Sequence, residues 1–114
     1  MSVTEPIILS QDFAPPDGTF DLVVPEDLFF LQGHFPEVAV VPGVVQIHWA
    51  ICLASQGLTL RPKFLGIESL KFHLIIKPLT ELKLELNYAE ASGKLRFCYT
   101  SEAGQHSQGR ILLD

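Results

Sequence analysis

His34 heads the run His34-Phe35-Pro36, and after five intervening residues Pro42-Gly43-Val44 opens an apolar stretch. An imidazole titrates near neutral pH and can act as a base there. A Pro-Gly step ahead of a helix leaves the first backbone N–H groups without intrahelical acceptors. The positive end of the helix then lies where a carbonyl oxygen gaining charge can be received. Together these groups have the chemistry to take a proton from the carbon beside a thioester and to hold the resulting oxyanion.

Several elements must position that pair. From Val44 to Gln56 the sequence reads as a helix, with Val44, Val45, Ile47, Trp49, Ala50, Ile51, Leu53 and Ala54 covering almost its full circumference. Such a helix is expected to be enclosed on all sides, and Gly57 supplies its stop. Before it, residues 1–18 read as irregular up to the turn Pro15-Pro16-Asp17-Gly18, and Thr19 to Val24 alternates as a strand that Pro25 ends. Asp27 to Leu31 reads as a short helical turn, and residues 32–43 as a loop. After Pro62 the pattern predicts strands over Phe64–Lys77, bent near Gly66, then Thr80–Tyr88, Leu95–Tyr99 and His106–Leu113, with turns at Ser92-Gly93 and Gly104-Gln105. The predicted fold is α+β, one domain over residues 1–114, with an antiparallel sheet wrapped around one central helix. The sheet edge left unpaired is expected to join that of a second copy.

Composition narrows the function further. The 114 residues are 47% hydrophobic with a mean hydropathy of +0.28, and the formal net charge is −5. A basic nucleic-acid footprint is therefore not expected, and any acidic partner needs a local basic patch such as Arg61 with Lys63 or Lys71 with Lys77. No apolar run reaches the roughly 20 residues of a membrane span, and the first residues lack the pattern of a secretory signal. Cys52 and Cys98 stand apart and read as buried thiols of a reducing, cytoplasmic setting.

Gly33-His34-Phe35-Pro36 and Pro42-Gly43-Val44-Val45, with Ile67-Glu68-Ser69-Leu70-Lys71-Phe72 and Ile76-Lys77-Pro78 downstream, resemble the hotdog-fold family of (3R)-hydroxyacyl-[acyl-carrier-protein] dehydratases. The likeness runs from about residue 19 to 113 and is most specific over 33–45. The Pro42–Ala50 version of the helix is similar to compact dehydratase-like proteins of secondary lipid and polyene gene clusters. The resemblance implies that His34 is the catalytic base and that the Gly43 and Val44 amides polarise the thioester carbonyl. It implies an acid fourteen residues after His34, across a dimer interface, and that position holds His48 where the family carries Glu or Asp. Cys52 stands at the family's helix glutamine and Glu37 at its glycine after His-Phe-Pro. It also implies no cofactor, an acyl carrier protein bearing a 3-hydroxyacyl chain as partner, and a homodimer or a heterodimer with another hotdog subunit.

For His48 two readings stand: an acid in an imidazole pair with His34, where two nearby cations would repel and lower at least one pKa, or a polar residue hydrogen-bonded in the core. Glu37 and Glu68 are alternative acids. His34 and His48 lack a third ligand at metal-binding spacing, so no metal site is expected. Phe35 and Trp49, with Phe29 and Phe30, line either an acyl tunnel or the core. His73 and His106 read as surface or edge histidines. A non-catalytic partner subunit and a hotdog thioesterase are the competing functions.

Overall fold

Leu82, Leu84 and Leu86 are buried while Glu81, Lys83 and Glu85 between them are exposed, the period of two that a strand with one wet face must show. The computed structural model describes residues 4–26, 40–57 and 63–114. They form strands β1 (Ile7–Ala14) and β2 (Asp17–Val23), helix α1 (Gly43–Gly57), and strands β3 (Phe64–Phe72), β4 (Glu81–Ala89), β5 (Lys94–Ser101) and β6 (Gly104–Leu113). All neighbours pair antiparallel in one six-stranded sheet of order β1-β2-β4-β5-β6-β3. Its inner face carries Phe20, Leu22, Leu84, Phe97, Tyr99 and Ile111, against which α1 sets Val45, Trp49, Ala50, Leu53 and Ala54. This is the hotdog arrangement, one helix against an antiparallel sheet.

Four expectations are corrected. Residues 1–18 are not irregular: Ile7–Ala14 pairs with β2 from Ile7↔Val23 to Ala14↔Asp17. This edge strand is exposed along nearly its whole length, so no alternation of burial marks it. The strand after Pro62 ends at Phe72 rather than Lys77, and its register breaks at Phe64/Gly66 and again at Glu68/Lys71.

The helix is not enclosed on every side. Val44 is 73% exposed, His48 is exposed and Ile51 and Cys52 are half-buried, so one apolar stripe of α1 faces away from its own sheet. Finally, His106 is no surface histidine but is 4% exposed. The pairing of β5 with β6 shifts between Tyr99 and Thr100, which turns His106 and Ser107 inward together. Its Nδ1 lies 3.0 Å from the Ile75 carbonyl, which can only accept, so Nε2 accepts from the Ser101 hydroxyl.

Candidate active site

Helix α1 starts at Gly43, and the first amides to find acceptors are those of Val45 and Gln46, both on the Pro42 carbonyl at 3.0 and 3.2 Å. The Gly43 and Val44 amides have no acceptor among the described residues, as helix geometry requires of a first turn. That turn contains no acidic residue, so nothing within it neutralises the positive helix end. The start is held at both ends of Val41: its N–H donates to the Ile76 carbonyl at 2.8 Å, and its carbonyl accepts from Gln46 Nε2 at 3.1 Å.

A groove of about 300 Å³ opens here, lined by Val41, Gly43, Gln46, Phe72, His73 and Ile75 among others. The glycine matters sterically, since a Cβ at Gly43 would stand 2.5 Å from Cζ of Phe72. Gln46 is buried, with Oε1 accepting from Ser107 at 2.6 Å and its carbonyl accepting from the Tyr99 hydroxyl at 2.6 Å. Burial first, and then the thiolate that Cys52 becomes only at high pH, push the Tyr99 phenol far above its usual range, so it stays a donor.

His34 and Phe35, with Glu37, Phe29 and Phe30, lie outside the described residues. Gly43 and Val44 stand at the helix start. His48 is one turn beyond Val44 on the same exposed stripe, with Nε2 3.5 Å from the Cys52 sulfur. Burial, helped by the charge of Glu5, raises the Cys52 thiol above its ordinary value, which keeps it protonated beside the ring. Trp49 points the other way, into the core, where Nε1 donates to the Thr4 carbonyl at 3.0 Å. Glu68 is held ionised by the hydrogen bond from Lys94, with the Lys94 and Arg110 charges adding to it against partial desolvation, which suits it poorly to donate a proton. Gln46 is a groove residue that the sequence reading passed over, and His73, read there as a surface or edge histidine, is exposed but lines the groove as well. Gln46 had a signal, being a polar residue in an otherwise apolar turn. His73 had none, because only the end of β3 brings it to the groove.

The family model described as ApeI-like, ApeI dehydratase, matches residues 11–110. The 3-hydroxyacyl-[acyl-carrier-protein] dehydratase FabZ of Clostridium novyi is 36% identical over 72 residues, covering 57% of this chain and 51% of that protein. The chain thus spans about half the length of the curated relatives it matches. Among solved structures, the dehydratase heterocomplex ApeI:P from Xenorhabdus doucetiae superposes with a TM-score of 0.90 at 32% identity, over 96% of this chain and 97% of that one. An uncharacterized protein from Erwinia carotovora subsp. atroseptica superposes with a TM-score of 0.84 at 30% identity, over 96% and 95%. A match that runs over most of the chain, in sequence and in backbone, places this chain in the ApeI-like dehydratase family.

Proposed function

We propose that the chain is a dehydratase of 3-hydroxyacyl thioesters held on an acyl carrier protein, working in the cytoplasm in fatty-acid or polyene-type lipid synthesis. The observation that carries this is the helix start: two amides without an acceptor among the described residues, on a turn without a carboxylate, opening on an apolar groove. In the proposed reaction His34 takes the proton from the carbon next to the thioester carbonyl. The Gly43 and Val44 amides hold the oxyanion that forms. As the electrons return, the C–C double bond of the trans-2-enoyl product forms, the C–O bond at carbon 3 breaks, and the leaving hydroxide takes a proton from His48. Phe35 is proposed to line the acyl path; Trp49, buried with its indole N–H satisfied, is proposed to pack beside it.

The exposed stripe of Val44 and His48, with the exposed Phe72, Ile75 and Leu79, supports a second hotdog subunit covering this face, as homodimer or heterodimer. The Xenorhabdus relative is itself a heterocomplex. Among the described residues no helix is long and apolar enough to cross a membrane.

Incubation of the protein with a 3-hydroxyacyl carrier thioester is expected to yield the conjugated enoyl product, and His34→Ala is expected to abolish it. Absence of turnover from the purified chain, with turnover restored by an added hotdog subunit that carries the helix carboxylate, would replace this reading by that of a non-catalytic partner.

A further inference from the structure

In a chain of net charge −5, four of the eight Lys and Arg residues gather on one patch. Lys94 and Arg96 on β5, Arg110 on β6 and Lys71 on β3 occupy the outer face of three neighbouring strands. Arg96 stands directly opposite Arg110, a like-charge pairing that destabilises an antiparallel ladder. One carboxylate answers it in part: Glu68, paired with Arg110 across β3 and β6, lies 3.0 Å from Lys94 Nζ and 3.5 Å from Arg110 Nη1. Glu85, opposite Cys98 on β4, borders the patch without forming an ion pair among the described residues. Lys71 and Arg96 have no anionic partner among those residues.

The backbone shapes this patch. Strand β3 bulges between Glu68 and Lys71, and Ser69 there takes a φ of 55°, a conformation costly for a residue with a side chain. The bulge brings Leu70 over Gly109, where a Cβ would meet Leu70 Cδ1 and Phe97 Cε2 at 3.1 Å. Ser69 is thereby turned outward, and its hydroxyl accepts from Arg110 Nη2 at 3.5 Å. The result is a groove of about 370 Å³ lined by Ser69, Lys71, Arg96, Cys98, Gln108 and Arg110 among others.

We infer that this groove binds a phosphate-type oxyanion, gripped by Arg96 and Lys71 with Arg110, Gln108 and Ser69 beside it. A guanidinium offers two parallel donors to such an anion. Arg96 and Lys71 lie two strand spacings apart and two residues out of level, since Arg96 faces Arg110 and Lys71 faces Gln108, roughly 12 Å at the backbone, a gap that two long side chains can close on one anion with several oxygens. Such an anion also relieves the Arg96–Arg110 opposition without displacing Glu68. Its source is either free phosphate or the phosphate ester in the arm of a thioester carrier. The inference does not depend on the dehydratase reading, because binding is read without turnover.

The test is a nitrogen-15 NMR titration of the full chain with sodium phosphate against sodium chloride at equal ionic strength. Phosphate is expected to move the amides of Arg96, Gln108 and Arg110 where chloride does not. The double variant Arg96→Gln/Lys71→Gln, altering two exposed side chains, is expected to weaken binding by about tenfold or more, while Lys83→Gln on β4 leaves it unchanged. Titration with 4′-phosphopantetheine beside pantetheine separates the sources: binding of the first alone, tighter than inorganic phosphate, assigns the carrier arm, and equal binding assigns free phosphate. Phosphate that moves nothing beyond chloride, or that binds the double variant as well as the native chain, overturns the inference. Binding of poly-L-glutamate without any binding of phosphate also overturns it, by making the patch a surface for an acidic protein.

Discussion

Ser107 on β6 donates its hydroxyl to Gln46 Oε1 on the first turn of α1 at 2.6 Å, with both side chains buried. Through this contact the sheet fixes the rotation of the helix start, since the amide of the same glutamine grips Val41. Ser107→Ala leaves a buried oxygen without a donor and is expected to cost about 1–3 kcal/mol in urea unfolding. Gln46→Met adds a loss of its own, but the double variant is expected to lose less than the two single losses together. Strict additivity would show that the contact carries no coupling.

Gly43→Ala should separate binding from stability. The added methyl meets the ring of Phe72, which is half exposed and free to swing aside. The strain and the better helix propensity of alanine oppose one another, leaving stability within about 1 kcal/mol of the parent. The groove loses a wall, so KM for an acyl thioester is expected to rise. An unchanged KM would place the acyl chain elsewhere.

His48 tests the proposed acid. His48→Gln keeps the bulk of the side chain but cannot deliver the proton, and is expected to lower kcat by about 10²–10⁴ with little change in KM. His48→Glu restores a proton donor of the kind used by the wider dehydratase family and should retain much of the rate. Full activity in the glutamine variant would remove His48 from the mechanism.

Alkaline pH should loosen the fold. The Tyr99 phenol and the Cys52 and Cys98 thiols all hold their protons more tightly when folded, because burial disfavours their charged forms. Groups with raised folded pKa values contribute stability below their unfolded values and lose it as pH rises. Urea midpoints are therefore expected to be flat near neutrality, to fall from about pH 8.5 as thiols titrate, and to fall more steeply above about pH 10. Tyr99→Phe should flatten the upper limb. A midpoint rising over this range would contradict the burial of these groups.

Trp49 is the single tryptophan, and its indole N–H holds the Thr4 carbonyl. Trp49→Phe deletes that bond and is expected to cost at least about 0.5–1.5 kcal/mol, with faster hydrogen exchange of the chain around Thr4. In the native protein, denaturation should shift the tryptophan emission to the red as the buried ring meets water.

The helix bounds, the alternating strands after Thr80 and the Pro42-Gly43 helix start were all legible, because each is a local pattern: periodicity, a glycine stop, a proline step. The family was legible for the same reason, in a short motif. Strand β1 was not, since an edge strand exposed on both faces has no period to read. The inward turn of His106 depends on a register shift against β5, and the meeting of Gln46 with Ser107 joins residues 61 positions apart. Likewise Arg96 faces Arg110, and Phe72 covers Gly43, only because the sheet brings β5, β6 and β3 side by side. Local order is written in neighbours along the chain, whereas a groove, a buried polar tie or a charged cradle arises where distant segments pack, and only the tertiary structure decides which ones meet.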